Sequence, residues 1–513
     1  MGSEGPRRSL QPRADLCLMW FRLDLRLDDN AALAAACEAG RGRVLPVYCV
    51  DPRDVGAGAL GLPKRSARAA QFLIESLTDL RSKLKRVGSD LLIRRGPPEE
   101  LLLDVAQLYK ATQIFTHEAQ TPEEEEALAA VEEACVREGV ELKVIEGVTL
   151  YHRARLPYAQ GLTDLPRDFL RFRRDLERAS SPRAPSLAIS KLLPLPLGVS
   201  LGKLPSLAEL GHEGSEVAKA QGRQLGGEAQ GLRRLKEYVW ERRLLEHAHH
   251  ARRSFAGEEI SARLAAWLNF GCLSPRRLWY EALAFEARHG QSLGVYQLIY
   301  HLTLRDFMIF HAQRGGRRLY EGGLFSAAPP SPEPPEAVER FEAWCAGRTG
   351  FPLVDACMRS LAATGELSAQ GRALVSRFLT GSLALPWGWG AAYFASCLCD
   401  YHPALTWGYF QAGAGVGVWL SDPSPHPVWA GRAVDWEGSF VRAWVLELAQ
   451  LPPEVVYEPY LLDDAWQEHL QLHLGVHYPY PVVPPAPLVP SFGERPLGGR
   501  LLERVWRRFP EGG

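Results

Sequence analysis

LCLMWFRLDLRLDDN, residues 16–30, decides how this chain is read. Its first six residues form an unbroken apolar run, and charged and turn-forming residues follow, the pattern of a strand running into a loop. Four further runs repeat it: VLPVYCV at 44–50, DLLIRR at 90–95, QIFTHE at 113–118 and LKVIEG at 142–147. Between them, SARAAQFLIESLTDLRSKLKRVG (66–88) and PPEELLLDVAQLYKA (97–111) space their apolar residues three and four apart, as one buried helix face requires. A third helix opens at TPEEEE (121–126). There Thr121 can cap an orphan amide, Pro122 presets φ, and the glutamates meet the positive end of the helix dipole. Five strands alternating with helices imply a parallel sheet with right-handed crossovers, so an N-terminal Rossmann-like domain is expected over residues 14–150.

Beyond that point the pattern changes. Residues 151–231 recur in Pro, Gly and Ser, with one helix expected around 168–178, and read as a long linker wrapping between two domains. Residues 232–480 read as almost wholly helical, with breaks at 271–275, 350–352, 364–365 and 385–390. Residues 481–513 read as a Pro-rich tail. The expected architecture is therefore α/β plus all-α.

Composition excludes several functions. With 59 basic against 60 acidic residues, nothing global marks a nucleic-acid binder, although a local basic groove survives such averaging. Nine scattered cysteines without a C-x-x-C fit reduced thiols. MGSEGPRRSLQPRAD at the start has no apolar core, so it is not a secretory signal, while its arginines leave an organelle transit peptide open. No apolar run is long enough for a membrane span, which makes the cytoplasm or nucleus the default expectation. GAGALG at 56–61 fits G-x-G-x-x-G only on paper, because residues 51–55 separate it from the strand and Pro63 precedes the helix. It reads as a flexible loop. HAHH at 247–250 reads as a solvated helix face, with no carboxylate or cysteine at ligand spacing, and no metal is expected. No nucleophile elbow, P-loop or H-E-x-x-H appears. Aromatics, arginines and isolated carboxylates remain, a set suited to a planar cofactor or stacked bases.

Five collinear segments carry a resemblance to a known family. They are WFRLDLRLDDN (20–30), GCLSPR (271–276) and RTGFPLVDACMRSL (348–361), joined by YHRARLP (151–157) with YPYPVV (478–483). Together they resemble the photolyase and cryptochrome family, and the last pair its DASH branch. The resemblance implies FAD in the helical domain, an antenna such as methenyltetrahydrofolate near the domain junction, and either light-driven repair of single-stranded DNA or blue-light sensing. A single chain, acting as a monomer, is the default.

Residue by residue, the resemblance implies flavin-side roles for Arg305 and Asp306, and for the Arg372 and Asp400 ion pair. It implies a phosphate-binding role for Ser261, Arg263 and Leu264, and a middle place in a tryptophan electron relay for Trp387. Other expected residues are replaced. A contacting tyrosine is Ala248, a phosphate-stretch hydroxyl is Ala262, and the proline after it is Ala266. A glutamate is His301 and the following tryptophan Leu304; an asparagine at the ring is Ala369; an aspartate is His402 and a nearby asparagine Thr406. The flavin-proximal tryptophan is Phe410, no tryptophan stands in 329–335, and the antenna carboxylate falls on Ala119 beside Glu118. A weakened FAD site is the expectation. The alternative is a flavin-poor relative serving as a nucleic-acid or protein-binding module, supported by the basic run Arg242, Arg243, Arg252 and Arg253.

Overall fold

In the computed structural model, the described residues are 16–213, 217, 223–253, 255, 261–325, 335–420 and 426–485. Five strands, β1 (Leu16–Phe21), β2 (Val44–Val50), β3 (Leu92–Arg95), β4 (Ala111–His117) and β5 (Glu141–Ile145), form one parallel sheet in the order β3-β2-β1-β4-β5. Helices α1 (Ala31–Ala39), α2 (Ala67–Arg86), α3 (Pro98–Tyr109) and α4 (Pro122–Glu138) make the crossovers. α4 starts as its sequence dictates: Thr121 accepts from the Glu124 amide and Pro122 opens the first turn. The alternation of β1 splits its side chains between two cores. Leu16, Leu18 and Trp20 pack with Leu102, Val105 and Val131 of α3 and α4. Cys17, Met19 and Phe21 face the opposite way, toward Phe72, Leu73 and Leu77 of α2.

The segment after β5 runs back along the α/β region. It carries α5 (Phe169–Ala179), capped by Asp168, and then runs extended along the outer strand, where the Ile93 amide donates to Leu201 O at 2.8 Å. That bond covers part of an edge that would otherwise offer unpaired backbone groups. GAGALG forms a short loop with a 3-10 turn at Ala59–Gly61, closed by a bridge between Ala57 and Pro63.

The rest is helical: α6 (Glu228–Lys236), α7 (Ala265–Asn269), α8 (Pro275–His289), α9 (Leu293–Gly315), α10 (Ala337–Cys345), α11 (Pro352–Thr364), α12 (Ala369–Arg377), α13 (Trp387–Cys397) and α14 (Pro403–Gly413). Three short helices follow, α15 (Pro427–Val434), α16 (Ser439–Trp444) and α17 (Asp464–His469). The break read at 385–390 is shorter than expected: Pro386 sits at the N-cap and α13 already begins at Trp387, a preorganised start for a helix. Among the described residues no helix is long and apolar enough to cross a membrane.

The cores do not stop at the linker. The cluster that holds Phe21 and Phe72 also contains Trp267, Phe270, Phe285 and Phe307 from the helical region. Phe72 meets Trp267 edge-on at 5.8 Å and Phe270 at 5.0 Å, so rings from both regions share one packed interior. A separate cluster under α10–α16 ends on Tyr478. There Asp355 accepts from the Thr349 and Gly350 amides and from the Tyr478 hydroxyl, and the Val482 amide donates to Thr349 O. Ordered packing thus continues just past residue 480.

Candidate cofactor site

The two segments 20–30 and 271–276 meet as an electrostatic seam between sheet and helices. Arg26 donates to the carbonyls of Gly271, Asp29 and Gly147. Asp29 receives both Nε and Nη2 of Arg276 at 2.9 Å, together with the Ser274 hydroxyl and the Ser186 amide. Burial pushes the Asp29 carboxyl up, but Arg276 and these donors outweigh it and hold the group below the usual range. Arg277 pairs with Asp28 at 2.7 Å and Glu228 caps the Leu27 and Asp28 amides. Asp24 pairs with His117 at 2.7 Å.

Arg305 and Asp306, on α9, turn toward this seam. Arg305 donates to Val148 O at 3.2 Å and to Gln120 Oε1 at 3.1 Å. Asp306 accepts from the Leu150 and Tyr151 amides at 3.1 and 2.8 Å. Burial pushes the Asp306 carboxyl up, against the pull of Arg305 and the two amides. These two residues, read from sequence as flavin-side, fasten α9 to the end of the α/β region.

Gln120 links the seam to α14. Its Oε1 also lies 3.3 Å from His402 Nε2, so that nitrogen carries the proton and Nδ1 is an acceptor. Burial, with Arg305 nearby, lowers the His402 pKa to about 3 and keeps the ring neutral. His402 Nδ1 is buried without a hydrogen-bond partner among the described residues, and so is Thr406 Oγ1 one turn further along α14. Such orphans are costly unless a ligand or water meets them.

α12, which packs on α14, brings Arg372 to Asp400, two residues before His402. Arg372 Nη2 lies 2.8 Å from each carboxylate oxygen, its Nε holds Leu367 O, and Asn269 donates to Asp400 O at 2.5 Å. The pair is only partly enclosed, with side chains 17% and 14% exposed. α9 and α12 both pack on α14, and Leu304, Leu405, Tyr409 and Ala412 of α9 and α14 stand half-buried against the central core. Ala369 opens α12 as an exposed residue.

The stretch 261–264 is arranged differently. Arg234 takes the carbonyls of Ser261 and Ala262, at 2.9 and 3.2 Å. Arg263, at φ +50°, pairs with Glu366 at 2.7 Å, and Leu264 is buried at the start of α7. Trp387 stands half-buried with its ring edge-to-face on Trp407 at 5.7 Å, while Phe410 is buried among Phe394 and Trp344. The basic run is partly neutralised: Arg242 pairs with Glu237 and Arg243 with Glu246. The side chains of Arg252 and Arg253, the stretch 329–334 and residues 1–15 lie outside the described residues. Among those described, no cluster of His, Cys, Asp and Glu could hold a metal.

Comparison with known proteins follows the same division of the chain. Residues 17–189 match the family described as DNA photolyase, and residues 300–486 match the FAD binding domain of DNA photolyase. Cryptochrome DASH of Gloeobacter violaceus is 39% identical over 91% of this chain and 92% of its own length. Cryptochrome DASH of Xenopus laevis is 36% identical, over 95% and 92%. The crystal structure of the Synechocystis cryptochrome superposes with a TM-score of 0.85 at 35% identity, covering 91% of this chain and 96% of that one. This chain belongs to the photolyase and cryptochrome family, in its DASH branch.

The family implies two cofactors, and the structure distinguishes between them. For a DASH-branch flavin, the fit rests on the buried orphans His402 Nδ1 and Thr406 Oγ1, with the partly open Arg372–Asp400 pair beside half-buried apolar side chains. A flat ring with one polar edge matches such a lining. For a folate antenna gripped by a carboxylate near Ala119, the residues do not fit. Glu118 is fully engaged by the Gly147 and Val148 amides, and Ala119 is buried with its carbonyl held by Gln313. The orphans and Gln120 were not legible as a set, because residues 120, 305 and 402 meet only when the two regions dock.

Proposed function

We propose that this chain is a blue-light-responsive flavoprotein that holds FAD on the α9–α12–α14 face, with its ring edge on His402 and Thr406. The buried pair of His402 Nδ1 and Thr406 Oγ1 carries this reading. A flavin presents an N–H between two carbonyls on its pyrimidine edge. A neutral imidazole nitrogen can accept that N–H, and a threonine hydroxyl can donate to the adjoining carbonyl. When bound, FAD would supply light absorption and one-electron chemistry.

The chain's own residues then bind and orient. Gln120 and Arg305 fix the His402 tautomer from the second layer. The Arg372–Asp400 pair places a cation beside the ring without leaving a buried charge unbalanced. The phosphate end is held less well, since Arg263 is paired with Glu366 and Ala262 offers no hydroxyl donor. Each missing bond to a charged phosphate oxygen weakens binding by about 1.5–3 kcal/mol. FAD therefore exchanges more readily than in a site with its full set of phosphate donors.

That same observation favours a second reading, a flavin-poor scaffold that binds nucleic acid or protein. The purified protein's visible spectrum, with the cofactor released by denaturation and identified, separates the two. A structured blue band that disappears in His402→Ala/Thr406→Val supports the first. A colourless protein that takes up no added FAD overturns it. Salt-dependent binding of single-stranded DNA then shows whether nucleic acid is its partner.

A further inference from the structure

The first turn of α2 closes on the ends of two helices from the other region of the chain, α11 and α13. A helix leaves its last carbonyls without internal partners, and donors or cations placed there are favourable. Ser66, buried at the N-cap of α2, accepts from the Ala69 amide at 3.0 Å. Its own hydroxyl donates to Leu398 O, just past α13, at 2.8 Å. Arg68 donates to the Ala362 and Ala363 carbonyls in the last turn of α11, at 3.3 and 2.6 Å. Gly365, which ends α11 at φ +71°, lies between the two contacts. An added Cβ there would come within 2.8 Å of Arg68 Cδ and 3.1 Å of Cys397 O, so the three elements meet without slack.

Three successive residues are fixed here from three directions. Leu398 is held by Ser66, Cys399 donates its amide to Gly365 O at 2.9 Å, and Asp400 O accepts from Asn269 of α7 at 2.5 Å. Asp400 then presents both carboxylate oxygens to Arg372 Nη2 at 2.8 Å, while Arg372 Nε holds Leu367 O, two residues beyond Gly365. The ion pair therefore joins the same two stretches of chain that α2 grips.

We propose that Ser66 and Arg68 are positioning residues, a latch through which the α/β region sets where Asp400 stands against Arg372. Arg68 fixes the α11 side of the pair and Ser66 the α13 side, and neither touches the pair itself. One nitrogen shared between two oxygens tolerates little displacement, because hydrogen bonds weaken steeply as their angles close. The consequence for the cofactor rests on the flavin reading above. With the latch broken, Asp400 shifts, Arg372 loses the partner that orients it, and FAD binds less tightly.

Cys399 reports on the latch without any cofactor, because its free thiol is buried between Leu398 and Asp400. Alkylation of the native protein by iodoacetamide, mapped by peptide mass spectrometry, reads its exposure. Ser66→Ala should make Cys399 react several-fold faster and leave Cys135 and Cys357, buried elsewhere, unchanged. Ser66→Thr, which keeps the hydroxyl, should return the wild-type rate. Arg68→Met, at a half-buried position, should also quicken Cys399, and it serves as the test if Ser66→Ala does not fold. An unchanged rate at Cys399, or an equal rise at all three thiols, would overturn the latch.

FAD titration then reads the consequence. Ser66→Ala should raise the Kd about three- to tenfold, as the loss of one buried hydrogen bond allows. That effect should vanish in an Asp400→Asn background, since the two changes act through one contact. An unchanged Kd, or a change that persists in Asp400→Asn, would overturn the role toward the ring. A wild type that takes up no FAD would overturn the flavin reading instead, and alkylation would still decide the latch.

Discussion

Asp29 and Arg276 are 247 residues apart in the chain, yet they meet through two parallel hydrogen bonds of 2.9 Å with almost no exposure to water. The first comes from the loop after β1 and the second from the first turn of α8. Each would be an uncompensated buried charge without the other.

Removing either partner is therefore expected to destabilise the protein strongly. Asp29→Ala or Arg276→Ala should cost about 3–5 kcal/mol, because the partner charge stays buried and unpaired. Thermal unfolding of the two single variants and the double variant checks this. The double loss should fall well short of the sum of the single ones.

Acid should weaken the fold in two separate windows. His402 and His311 are both buried neutral, each lowered to about 3 mainly by burial. Unfolded histidine takes up a proton near pH 6.5, so the unfolded chain gains protons that the folded one refuses. Their contribution is complete above about pH 6.5 and declines as pH falls toward 3. Asp29, depressed instead, adds its contribution above its ordinary carboxylate range and loses it only below that range. Between pH 6.5 and 5, the melting temperature of His402→Gln should fall less steeply, or rise more, than that of the wild type.

Breaking the Arg372–Asp400 pair should act on the cofactor more than on the fold, because both side chains are partly open to solvent. Arg372→Ala is expected to weaken FAD uptake by about 1.5–3 kcal/mol, the worth of a charge-assisted hydrogen bond. Titration of apoprotein with FAD, followed by flavin fluorescence, reads the change.

Phe410→Trp should cost stability. The Phe410 ring fills the notch at Gly390, where an added Cβ would come within 2.2 Å of it, and lies 5.0 Å from the Phe394 ring. A larger indole must displace those neighbours, at about 1–3 kcal/mol. A lowered melting temperature is the expected outcome.

Much of this structure was legible in advance because periodicity is local. The five strands and α4's cap follow from runs and caps contained within a few residues of each other. α1 is the counterexample: AALAAACEA has no clear apolar stripe, and its start depends on Asn30 accepting from the Leu33 amide. The site was legible only in pairs that the chain brings together simply, such as Arg372 with Asp400. Arg305 and Asp306 could not be oriented from sequence, since their partners Gln120, Val148, Leu150 and Tyr151 lie far away in the chain and meet them only on docking. Arg263 was read as a phosphate-binding cation, and no local pattern announces its partner Glu366, which lies 103 residues away.

The shared interior of Phe72, Trp267 and Phe270 bears on how the molecule can move. Two lobes joined by a slender waist can swing apart, but lobes whose rings interlock cannot part without exposing oil to water. A fragment cut near residue 150 would carry half of that interior on its outside and should aggregate. Any change of shape in such a molecule must then come from rearranging its periphery rather than from opening like a hand.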